Sequence, residues 1–120
     1  MDSQDTELSD RKFQKDLNAG ISALILLIVL SRATEPMYGY QIAKFIKVED
    51  TSIKQGTLYP VLRTLETSGL LESTVEPSVS GPPRRYYRIT QAGRDTLERW
   101  IAIWQQIKFT VDSIIDGGTS

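Results

Sequence analysis

The feature that most constrains this chain is a change of hydrophobic period. From residue 13 to residue 68 apolar side chains recur at helical spacing. Between Gly69 and Thr90 they alternate, and from residue 91 the helical spacing returns. The alternating part is two short runs, LLESTVE and RRYYRIT, rich in Thr, Val, Tyr and Ile. Seven residues of turn chemistry, PSVSGPP, separate them. One two-stranded hairpin inside an otherwise helical chain is the expected architecture.

Three helices precede the hairpin. The first is expected over residues 13–32, with Phe13, Leu17, Ile21, Leu24, Ile25 and Ile28 at helical spacing. Its second half, ISALILLIVL, is a run of ten residues with no charge and only Ser22 polar. A bilayer span needs about twenty, so a buried helix is expected. The acidic start MDSQDTELSD does not resemble the basic region of a signal peptide. Pro36 disfavours helix at Glu35. A shorter helix follows in MYGYQIAKFIK, and a third over roughly residues 55–68, with Gly69 where a left-handed C-terminal cap belongs. Thr90 can cap a last helix reaching about Ile115. Helix, helix, helix, hairpin, helix is the order of a winged helix-turn-helix. The expected fold is therefore mainly α with a small β-hairpin and a long C-terminal helix.

Composition removes whole classes of chemistry. There is no cysteine and no histidine among the 120 residues. Disulfides, thiolate catalysis and histidine-based triads are impossible, and a zinc site is not expected. No nucleophile–base pair and no phosphate loop is present, so neither an enzyme nor a cofactor is expected. The only adjacent acids, Glu49 and Asp50, fall in a turn. The net charge is −1, but it is unevenly spread: residues 51–94 hold six bases and three acids, while residues 1–12 hold four acids and two bases. A basic middle can face phosphates. A soluble, cytoplasmic protein without a membrane segment is the reading.

In the third helix, GTLYPVLRTLETSGLL, one face carries Leu58, Val61, Leu62 and Leu65. Pro60 then lies near the first turn, where backbone N–H groups have no internal partner. The other face presents Gln55, Thr57, Tyr59, Arg63 and Thr64, hydrogen-bonding side chains at the helix end that DNA readers aim at base edges. Gly56 allows close approach of a phosphate or a neighbouring element. Arg84, Arg85 and Arg88 cluster beside the hairpin tip, within reach of a phosphate or a minor groove.

YGYQI at residues 38–42, GTLYPVLRTLETSGLL at 56–71 and RRYYRITQAG at 84–93 together resemble the PadR family of bacterial transcriptional regulators. The resemblance runs in order over about residues 17–115 and is closest to the short members with one C-terminal helix. It implies a homodimer on a near-palindromic double-stranded operator, usually as a repressor. It also implies that Tyr38 and Tyr40 start the helix crossing the DNA backbone, that Tyr59 and its neighbours form the recognition helix, and that Arg84 and Arg85 belong to the wing. Lys54 departs from the family's small hydroxyl residue two places before the glycine. The helix cap must then come from elsewhere, such as Ser52, and Lys54 is left to face phosphate.

In the last helix Leu97, Trp100, Trp104, Ile107, Val111 and Ile114 form an unbroken three-four pattern, the seam of a helix pair. The same helix of a second chain is the simplest partner. Trp100 and Trp104 can simply pack. The alternative is a flat site for a small aromatic or apolar effector, with Asp112 as counter-charge to a cationic one, since some multidrug-sensing members stack planar ligands on tryptophan in this helix. The expected organisation is a disordered acidic tail (1–12), a winged helix-turn-helix DNA-binding domain (13–90), a dimerisation helix (91–116) and a disordered end (117–120). The rival to DNA binding is a winged-helix module used only for protein contacts.

Overall fold

The computed structural model describes residues 8–48, 53 and 55–117. Seven elements follow in order: α1 (Asp10–Arg32), β1 (Met37–Tyr38), α2 (Gly39–Val48), α3 (Gln55–Thr67), β2 (Leu71–Glu76), β3 (Arg84–Ile89) and α4 (Gln91–Ile115). The sheet is antiparallel with order β1-β3-β2. A mainly helical chain with one small sheet is thus what forms.

Two expectations need correction. The first helix begins at Asp10, not Phe13, because Ser9 caps it: its hydroxyl accepts from the Lys12 N–H at 3.1 Å. Three residues assigned to the acidic tail therefore belong to α1. Tyr38 does not start α2. It sits in β1, a two-residue strand paired with β3 in the register Met37↔Tyr87 and Tyr38↔Tyr86. Tyr38 is the residue before the helix, and its backbone N–H donates to the Gln41 side chain at 3.0 Å. That is the returning half of a capping box, and it explains the glutamine of YGYQ.

α1 is long and apolar enough to cross a bilayer by length and composition. In the fold its second half is the central helix, packed against α3, α4 and β3. Leu26, Leu27 and Leu30 meet Ile42 and Ile46 of α2, Leu58, Leu62 and Leu65 of α3, and Leu71, Tyr87, Ile89 and Leu97. Ser22, the one polar residue in the apolar run, is buried and donates its hydroxyl to the Asn18 carbonyl at 2.5 Å.

α3 ends in a Schellman motif. The Gly69 N–H donates to the Glu66 carbonyl and the Leu70 N–H to the Leu65 carbonyl, both at 2.9 Å, with Gly69 at φ 80°. The chain turns there into β2. Thr90 closes the unit at the other end of the hairpin. Its hydroxyl accepts from the Gly93 N–H at 2.9 Å and donates to the Gly69 carbonyl at 2.7 Å, while its own N–H donates to the Leu70 carbonyl at 3.1 Å. Gly93 is buried against that same strand. A Cβ there would collide with the Leu70 carbonyl oxygen and lie 2.7 Å from Ile89 Cγ1. The hairpin, α3 and α4 are thereby tied at one point.

Candidate nucleic-acid interface

The inward face of α3 is as expected: Leu58, Leu62 and Leu65 are buried and Val61 is half-buried. Pro60 lies inside the helix, beyond its first turn, so no N–H at position 60 reaches the Gly56 carbonyl. Gly56 and Pro60 are both exposed, which leaves that carbonyl to water. A Cβ at Gly56 would meet no atom within 4 Å, so this glycine does not make room for a neighbouring element of the chain. Any close approach there is from outside.

The other side of α3 divides. Arg63 and Thr64 are exposed, and Thr64 donates its hydroxyl to the Pro60 carbonyl at 3.0 Å. Tyr59 is 41% exposed, yet its ring lies over the start of α2: a Cβ at Gly39 would fall 2.5 Å from its Cε1. Gly39 therefore admits Tyr59, and the ring links the two helices of the helix-turn-helix. Thr57 is half-buried on the other flank, in a groove shared with Arg11, Gln14, Lys15 and Asn18 of α1. Sequence reading did not bring the basic start of α1 to this end of α3. Only the tertiary packing does. Lys54 and Ser52 lie outside the described residues, as do Glu49 and Asp50. Gln55 opens α3, but its side chain also lies outside them.

The wing arginines do not form one cluster. Neighbouring residues on a strand point to opposite faces. Arg84 lies on the outer face with its guanidinium over the Tyr38 ring, 4.5 Å from the centroid. Tyr38 in turn meets Tyr86 edge-on at 5.3 Å and stacks with Tyr40 at 6.3 Å. This exposed cation–π contact is worth about 0.5–1 kcal/mol. Arg85 lies on the inner face and donates through Nη1 to Ser73 Oγ at 2.9 Å, while Ser73 donates to Glu66 Oε2 of α3 at 2.5 Å. Arg88 is engaged elsewhere, paired across the strands with Glu72 at 2.7 Å. The Tyr87 hydroxyl sits among these groups. Burial raises its pKa above 10.0, Glu66 adds to the rise, and Arg85 and Arg63 oppose it.

On α4 the expected seam splits. Leu97 lies in the chain's own core and Trp100 packs against its edge. The rest is open, from 38% exposure at Trp104 to 62% at Ile114. Residues 102–115, exposed apart from half-buried Ser113, run about 20 Å at the usual helical rise, and the molecule measures 57 × 42 × 26 Å. A groove of about 280 Å³ runs between Gly20, Ile21, Ala23 and Leu24 of α1 and Trp100, Ile103, Trp104 and Ile107 of α4. Asp112 is paired with Lys108 on its own helix at 2.7 Å, with both side chains exposed.

A three-helix head with a capped recognition helix and an arginine-bearing hairpin is the winged-helix DNA-binding class. The comparisons make the class particular. The model of the transcriptional regulator PadR-like family matches residues 26–99. Transcriptional regulator Rv3488 of Mycobacterium tuberculosis is 36% identical over 87 residues, 72% of this chain and 75% of that protein. A crystal structure of a PadR family transcriptional regulator from Eggerthella lenta superposes with a TM-score of 0.75 at 33% identity, covering 88% of this chain and 90% of that one. A PadR-like regulator from Bacillus cereus does so with a TM-score of 0.68 at 31% identity, covering 83% and 96%. The chain belongs to the PadR family of transcriptional regulators, a family of DNA-binding proteins and not of enzymes.

Proposed function

We propose that this protein is a cytoplasmic homodimeric repressor that binds a near-palindromic operator. The carrying observation is that the open side of α3, with Gly56, Arg63 and the partly exposed Tyr59, stands beside a wing whose Arg84 and Arg85 are each held by a partner. Base contacts come from α3, through Gln55, Thr57, Tyr59 and Arg63, while Lys54, just before it in sequence, is left to phosphate. Tyr38, Tyr40, Arg84 and Arg85 grip the backbone. Arg11 and Lys15, beside Thr57, add phosphate contacts.

The dimer reading rests on the open stripe Trp104, Ile107, Val111 and Ile114, together with exposed Phe13 and Leu17 on α1. An apolar surface of this length is too large to leave in water. Pairing two α4 helices covers it and sets two recognition helices at half-site spacing. The groove at Trp100 and Trp104 is small in one protomer. A second copy laid over it encloses a site for a planar apolar effector, whose binding changes the angle between heads and releases DNA. The groove is lined by apolar residues and glycine only, so a neutral ligand fits it better than a cation.

The test is binding to labelled DNA from upstream of the protein's own gene, against random DNA, at several salt concentrations. Preference for the upstream DNA, falling as salt rises, is expected. Equal or no binding at low salt would turn the reading toward a protein-contact module.

A further inference from the structure

Glu66 is out of place in a DNA-binding surface. It is an acid in the last turn of the recognition helix, where the helix dipole disfavours negative charge, and it would repel phosphate. It is half-buried, and its partner is the Ser73 hydroxyl on β2 at 2.5 Å. Ser73 Oγ also receives Arg85 Nη1 from β3 at 2.9 Å. The proton order follows from the chemistry of the groups. A guanidinium only donates and a carboxylate only accepts, so the hydroxyl between them must accept from Arg85 and donate to Glu66. Three elements, α3, β2 and β3, are joined by one directed chain of charge-assisted bonds.

We propose that Glu66 and Ser73 are positioning residues for DNA binding, holding the Arg85 guanidinium and the wing strand at a fixed angle to the recognition helix. This rests on the reading that the wing meets DNA. The hydroxyl acts as a spacer. It lets the carboxylate fix the arginine without a direct ion pair, so the guanidinium keeps donors free for a phosphate. The order lost by a long side chain is then lost on folding rather than on binding. With alanine at 73 the guanidinium collapses onto Glu66 and turns from the phosphate. The Tyr87 hydroxyl lies within the electrostatic reach of Glu66, Arg85, Arg63 and Tyr59.

The experiment measures affinity against salt for a random duplex of about 30 base pairs, long enough for two half-sites, with thermal unfolding in parallel. Arg85→Ala should weaken binding roughly tenfold at low salt and flatten the salt slope by about 0.9 per wing. Ser73→Ala should reproduce both changes, Ser73→Thr should restore them, and the double variant should be no worse than Arg85→Ala alone. A Ser73→Ala protein that keeps the full slope, while Arg85→Ala loses it, overturns the relay but not the wing. An unchanged slope in Arg85→Ala overturns both.

Discussion

The junction between α3 and the wing and the outer half of α4 are opposites. At the junction a connected set of polar side chains has partners within the chain: Arg85 with Ser73, Ser73 with Glu66, Arg88 with Glu72, and Thr90 with Gly69 and Gly93. On the outer half of α4 the apolar side chains stand in solvent, Trp104, Ile107, Val111 and Ile114 among them. The first region is complete in one chain and gains nothing structural from a second. The second is unfinished in one chain. On the proposed dimer, a single sequence carries a head finished at folding and a connector finished on assembly.

The largest test strikes the connector. Changing Ile107 and Val111 together to Glu should abolish the dimer, seen by sedimentation, and weaken operator binding about 100-fold or more by losing the linked second head. The head should keep its fold, because neither residue belongs to the core. Next comes the junction. Gly93→Ala forces a methyl into the Leu70 carbonyl and Ile89, and should cost about 2–3 kcal/mol in chemical denaturation. Thr90→Ala removes the α4 cap and should cost about 1 kcal/mol by the same assay.

A smaller effect lies in the alkaline range. The folded pKa of Tyr87 is raised, chiefly by burial and then by Glu66, so the folded state holds this proton more tightly than the unfolded chain. Its contribution is fully present below pH 10 and fades as pH climbs through the folded value. Denaturation midpoints of the native protein should fall more steeply above pH 10 than those of Tyr87→Phe. Smallest is Arg88→Ala. Its pair with Glu72 is exposed on both sides, so stability should change by less than about 1 kcal/mol. DNA affinity should fall less than for Arg85→Ala.

Much of the head was legible in sequence because its signals are local. The spacing of Leu58, Leu62 and Leu65, the glycine at 69, the alternation on either side of PSVSGPP and the threonine at 90 each fix a nearby backbone. What escaped reading is long-range. β1 is two residues, too short for any period, and exists only because β3 lies beside it. Gly39 and Gly93 look like helix-weakening choices until Tyr59 and Leu70 are seen against them. Arg84, Arg85 and Arg88 read as one basic group, but strand alternation and Glu72 send them to three different partners. Leu97 fits the seam by spacing and the core by packing, and the core has it.

The central claim is that two chains, joined through α4, place two finished heads on one duplex. Native mass spectrometry of the protein with its upstream DNA tests it most directly. The account predicts free protein at twice 13.5 kDa and complexes with two chains per duplex. Free protein at 13.5 kDa, with single chains bound to DNA, would contradict it.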